Sequence, residues 1–192
     1  MSSDAPGFDR SLSLIAAELG SVVERLTSAH DHSADALVDE IARAHRVFVH
    51  GAGRSGLALR MTAMRLMHLG LEVHVVGETT TPAIAEGDVL LTASGSGTTE
   101  SIVRAAQSAA EAGARVALIT TATESPLSEL ASATLVVPAA AKLDRSMTAS
   151  AQYAGGLFEQ TVVLVGDALF HTLWQRSGRT ADELWPRHAN LE

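Results

Sequence analysis

The sequence predicts an α/β fold: a three-layer α/β/α sandwich built on a five-stranded parallel sheet, with extra helices at both ends of the chain. Three observations carry this. From residue 46 to 138, short apolar runs alternate with helix-like stretches, the pattern of a parallel sheet with helices on both faces. Two of the runs end in glycine- and serine-rich turns that open a helix. Hydrophobic residues make up 46% of the chain but aromatics only 4%, so Ala, Val and Leu fill the core, which suits helices laid closely on a sheet.

Residues 1–45 read as helical, with Leu12, Ile15, Leu19, Val22, Val23 and Leu26 at helical spacing. His30-Asp31-His32 breaks that pattern, and Ser33 or Asp35 can cap a second helix running through Ala44. Arg46 to His50 is the first strand, followed by Gly51-Ala-Gly53 and a helix from Ser55 to Leu69. Val73 to Val76 and Val89 to Ala93 are the second and third strands. A helix from Thr99 to Ala112, a strand from Val116 to Thr120, a short helix from Pro126 to Ala131 and a strand from Leu135 to Val137 complete the core. Right-handed crossovers give the three-layer sandwich, and a flavodoxin-like strand order of 2-1-3-4-5 is expected. Ala139 to Thr148 reads as a loop, and Ser150 to Arg176 as the longest helix. No linker divides the chain, so residues 1–192 are expected to form one domain: N-terminal helices over 1–45, the core over 46–138, and a C-terminal helix and tail over 149–192.

Composition excludes several classes of function. The 192 residues include no cysteine, so disulfides and thiolate metal sites are ruled out. Net charge is −8 and Lys142 is the only lysine, which argues against a nucleic-acid surface. No apolar run approaches the roughly 18 residues of a membrane span. Met1 to Arg10 is polar and acidic rather than signal-like, so a cytoplasmic protein is expected.

The two turns, Gly51-Ala-Gly-Arg-Ser-Gly56 and Ser94-Gly-Ser-Gly-Thr-Thr99, point to an anion. Ligands of open α/β sheets bind beyond the carboxyl ends of strands where the chain order reverses. Helix N-termini there offer free N–H groups and a partial positive charge. Gly53, Arg54, Ser55, Ser94, Gly95, Ser96, Gly97, Thr98 and Thr99 are the candidate phosphate ligands. The structural alternative is that Gly and Ser simply make tight turns with Ser or Thr caps. Neither turn matches a dinucleotide or P-loop fingerprint.

With Met64-Arg-Leu-Met-His-Leu-Gly70 and Val76-Gly-Glu-Thr79 between them, the two turns resemble the sugar isomerase (SIS) domain family. Gly155-Gly-Leu-Phe-Glu-Gln160 and the tail Arg187-His-Ala-Asn-Leu-Glu192 are most similar to its 6-phospho-3-hexuloisomerase members. The resemblance covers nearly the whole chain. Thr98 stands where that family commonly has glutamate, and Gln152-Tyr-Ala-Gly-Gly156 departs from its usual Gln-Pro-Met-Gly-Ser.

The resemblance implies interconversion of D-arabino-3-hexulose 6-phosphate and fructose 6-phosphate in the ribulose monophosphate pathway of formaldehyde fixation. It also implies a homotetramer and functional coupling with a 3-hexulose-6-phosphate synthase. The carbonyl moves between C3 and C2 through an enediol(ate), which needs a base but no cofactor and no metal. Glu159, next to Phe158 and just before the apolar Thr161 to Val165, matches the family's Phe-Glu-Gln position and is the expected base. The alternative is a solvated glutamate, or one salt-bridged to an arginine. His188 is the second catalytic candidate, able to relay a proton or open a sugar ring, from a tail that folds over a pocket of its own or a neighbouring subunit. Its alternative is tail docking. His50, Glu78 and Thr79 stand at the binding edge, whereas His68 and His74 read as structural. Rival readings are an arabinose 5-phosphate isomerase, which usually carries further regulatory modules, and a sugar-phosphate sensor, which normally adds a basic helix-turn-helix.

Overall fold

A computed structural model of the chain describes residues 7–28, 32–140 and 150–191. The apolar runs form five parallel strands: β1 (Val47–Gly51), β2 (Val73–Val75), β3 (Val89–Ala93), β4 (Arg115–Thr120) and β5 (Ala133–Val136). Their order is β2-β1-β3-β4-β5, as expected. The chain steps from β1 out to β2 and then back across β1 to β3, so order reverses between β1 and β3. Register there pairs Gly51 with Ala93, which brings both strand ends, and the turns that follow, side by side.

Helices cover both faces because the strands are apolar on both. Every residue of β3 is buried, the continuous pattern of an internal parallel strand. Val47 and Val49 point one way, into a core shared with α1 (Phe8–Ser28), α2 (Ser33–Ala42), α3 (Gly53–His68) and α6 (Gly156–Ser177). Phe48 points the other way, into a smaller core with Leu90, Leu118, Ile102 of α4 (Glu100–Glu111) and Leu127 of α5 (Pro126–Leu130). A short helix α7 (Ala181–Leu184) and a 3-10 turn (Trp185–Arg187) follow α6.

Two packing features position the site. The amino ends of the strands are closed by ion pairs, Arg46 with Asp88 at 2.6 Å and Arg115 with the buried Glu40. On one face of the sheet α3 and α6 lie in close contact along their length. A Cβ on Gly166 would stand 2.0 Å from Oγ1 of the buried Thr62, so only glycine permits this approach.

Most boundaries fall within two residues of those read from the sequence, and α6 is the exception. It begins at Gly156, not Ser150, because Ala154 (φ 46°) and Gly155 (φ 82°) are left-handed and interrupt any helix there. Ser33 is the first residue of α2 rather than its cap, and His32 takes the capping position. Most of the expected 139–148 loop and His30-Asp31 lie outside the described residues. Among the described residues no helix is long and apolar enough to cross a membrane.

Candidate active site

The turn after β1 forms because the strand end and the helix start must nearly touch. A Cβ on Gly56 would come within 2.3 Å of the Gly51 carbonyl oxygen, so the chain can fold back into α3 only with glycine there. The turn after β3 is held differently. Gly97 has φ 65° and its missing side chain leaves room for Ser125, whose Oγ would be 2.1 Å from a Cβ. The Gly97 carbonyl accepts from the Leu127 N–H, tying the turn to α5.

A third segment completes the cleft. Residues 150–155 are drawn in by Glu18 of α1, whose carboxylate accepts from Ser150 Oγ (2.8 Å), the Ala151 N–H (2.7 Å) and Gln152 Nε2 (2.9 Å). Burial pushes the Glu18 carboxyl up, but these hydrogen bonds outweigh it and leave it below the ordinary glutamate value. Gly155 then opens α6 and places Glu159 in its first turn.

These three segments enclose a cleft of about 370 Å³ at the carboxyl ends of β1 and β3. The starts of α3, α4 and α6 all border it, so three sets of helix-terminal N–H groups converge. Hydroxyls of Ser55, Ser94, Ser96 and Thr99 line it, with Phe158 and Ile102 supplying an apolar wall. Ser94 and Thr99 share a hydrogen bond at 3.2 Å. Ser96 Oγ accepts from both Thr98 Oγ1 (2.9 Å) and the Thr98 N–H (3.3 Å). Glu159 is largely sequestered, its side chain 17% exposed, and one carboxylate oxygen receives Arg54 Nε at 2.5 Å. The sequence alternative in which Glu159 pairs with an arginine is therefore present in the chain, and the partner lies inside the cleft.

Of the expected phosphate ligands, Gly53, Arg54, Ser55, Ser94, Gly95, Ser96 and Thr99 line the cleft with Glu159. Gly97 and Thr98 do not: Gly97 is buried against Ser125, and Thr98 is exposed, bonded to Ser96. His188 is not brought to Glu159 within this chain. It stacks on His68 (centroids 4.8 Å apart) and on Trp185 (5.1 Å). His68 ends α3 and Arg54 begins it, so roughly 20 Å of helix separates His188 from the cleft.

His50 is half-buried, hydrogen-bonded to the Ser101 backbone, and lies outside the cleft lining; burial pushes its imidazole below the ordinary value. Glu78 pairs with Arg60 instead of facing the cleft. Glu18 and the left-handed Ala154 were missed by sequence reasoning. Glu18 looks like any polar position on an amphipathic helix, and its partners lie more than 130 residues away. A second, more apolar groove of about 410 Å³ lies between α1, α2 and α6, away from the two glycine- and serine-rich turns, with Arg25 and Asp35 among its lining residues. Among the described residues, no three His, Cys, Asp or Glu side chains cluster as metal ligands would.

The SIS domain family matches residues 40–161. A protein of Mycobacterium gastri named 3-hexulose-6-phosphate isomerase is 58% identical over 156 residues, covering 81% of this chain and 78% of its own length. A Bacillus subtilis protein of the same name is 40% identical over 164 residues, covering 84% and 88%. The solved structure of a Methanococcus jannaschii protein, described as inferring a molecular function of 3-hexulose-6-phosphate isomerase, superposes with a TM-score of 0.82 at 29% identity. That superposition covers 95% of this chain and 99% of the other.

Proposed function

The chain belongs to the SIS domain family, and from that membership we propose that it is a 3-hexulose-6-phosphate isomerase, interconverting D-arabino-3-hexulose 6-phosphate and fructose 6-phosphate. The observation that carries this reading is the 58% identity to a relative of that name, over four-fifths of the chain. The cleft supplies what the reaction requires. A phosphate dianion suits convergent helix N-termini and hydroxyls, which attract anions without lysine.

In this reading Glu159 takes the proton from C2 of the 3-ketose. The C2–H electron pair becomes the C2=C3 bond of an enediol(ate), and the C3 oxygen carries the developing negative charge. The backbone N–H groups of the neighbouring turns stabilise that charge. A proton passes from the C2 hydroxyl to the C3 oxygen, Glu159 returns the carbon-bound proton to C3, and the carbonyl rests at C2. Phe158 and Ile102 keep water from the carboxylate, which strengthens the interactions within the cleft.

His188 enters only from a second copy. Leu57, Met61 and Met64 form an exposed apolar stripe on α3, and His68 continues it at the same helical spacing. Two α3 helices packed antiparallel across a two-fold axis would set the tail of each copy beside the start of the other's α3. We assign His188 to the partner's cleft on that basis, as a proton relay or ring-opening acid, and a second such interface would build a tetramer. Functional coupling to a 3-hexulose-6-phosphate synthase follows from the substrate, and a phosphorylated sugar intermediate fits the cytoplasm. The chain, residues 1–192, acts as one domain in this scheme. The test is direct: the protein is given enzymatically made 3-hexulose 6-phosphate and fructose 6-phosphate is measured. No product above the uncatalysed rate would overturn the reading, and binding without turnover would favour a sensor.

A further inference from the structure

Arg54 and Glu159 are the only charged residues lining the cleft among the described residues, and each is bonded to the other. Arg54 Nε occupies one oxygen of the carboxylate that must accept the carbon-bound proton, so the contact opposes the reaction the cleft is built for. The two partners differ in mobility. Glu159 stands in the first turn of α6 and its side chain is 17% exposed. Arg54 is 66% exposed at the start of α3, and little packing is lost if it swings.

We propose that Arg54 is a latch on Glu159, released by the phosphate of the incoming sugar. Arg54 lies within the turn that cradles the phosphate, and a dianion is a stronger, bidentate partner for a guanidinium than one carboxylate oxygen. Binding the phosphate moves Arg54 from Glu159 to the anion and frees the carboxylate as substrate arrives. Arg54 is thus a positioning residue as well as a phosphate ligand. The latch confines proton abstraction to phosphorylated sugars, because a neutral sugar leaves Arg54 on the base. This inference rests on Glu159 being the base.

The experiment separates phosphate from sugar. Fructose, which has no phosphate, is incubated in heavy water with the protein, and exchange of its C3 proton is followed by NMR with and without inorganic phosphite. In the wild type, phosphite accelerates exchange. Arg54→Gln exchanges faster than the wild type without phosphite, by about fivefold, the factor that about 1 kcal/mol of partly exposed ion pairing hides. Phosphite adds little to that variant. Wild-type exchange that ignores phosphite, or Arg54→Gln exchange no faster than wild type without it, would overturn the latch and leave Arg54 an anion ligand or a support for Glu159. Glu159→Gln is the control for the underlying assignment. If it exchanges like the wild type, the base itself is misassigned, whatever Arg54 does.

Discussion

Single side chains decide the chemistry proposed for this cleft. Glu159→Gln keeps the shape of the base and a hydrogen-bonding end but removes the lone pair that accepts a carbon-bound proton. Positioned general bases contribute roughly 10²–10⁴-fold, so kcat is expected to fall by at least the lower figure while KM changes little. Steady-state kinetics on fructose 6-phosphate check this; a folded variant keeping more than about a tenth of wild-type kcat would remove Glu159 from the mechanism. The turns around Glu159 were legible in the sequence because their cause is local: Gly51, Gly56 and Gly97 each serve a contact that a Cβ would block. Glu159 was not legible in that way. Its spacing suits an ordinary helix surface, and only the Phe158-Glu159-Gln160 resemblance singled it out. Its pairing with Arg54, 105 residues earlier, is a product of tertiary packing.

At the scale of elements, the α3–α6 contact sets the distance between Arg54 and Glu159. Gly166→Ala gains up to about 1 kcal/mol of helix propensity. It also drives a methyl into Thr62, which is buried, branched and bonded to the Ala58 carbonyl, leaving it no direction in which to yield. Overpacking of this kind costs about 1–3 kcal/mol, so net destabilisation is expected, together with a loss of kcat as α6 shifts from α3. Urea unfolding at pH 7 measures the first effect and turnover the second. The 150–155 segment depends on acid in the same way that it depends on Glu18. The Glu18 carboxyl lies below its ordinary value in the folded chain, so its contribution is complete above the ordinary glutamate range and is lost as pH falls through the depressed value. Glu18→Gln removes an acceptor from three donors, costs about 1 kcal/mol at this partly exposed position, and flattens the fall in urea midpoint between pH 6 and pH 3. An unchanged fall would show that Glu18 is not the fastening. The sequence did not reveal this element boundary, because Gln152 and Ala154 are helix formers and the left-handed backbone at Ala154 and Gly155 that stops the helix is visible only in the fold.

For the whole molecule, the proposed site draws on two chains. The parallel sandwich was readable from alternation, since apolar strands and right-handed crossovers leave few topologies, and the strand pairing bears out the expected order. The place of the tail was not, because it rests on two ring stacks and on surfaces beyond a single chain. If His188 serves the partner's cleft, mixing Glu159→Gln and His188→Ala proteins after partial unfolding and refolding restores activity that neither has alone. About a quarter of the wild-type rate is expected, since half the pairs are mixed and each mixed pair has one intact site. No recovery from mixed oligomers would place His188 outside the reaction. The stack at the tail has an optical consequence as well. Trp174 and Trp185 are the only tryptophans, and Trp185 lies against an imidazole while 71% exposed. A protonated imidazole quenches indole emission on contact, so the fluorescence of Trp185 becomes a gauge of where the tail is docked, brightening or dimming as copies meet and part.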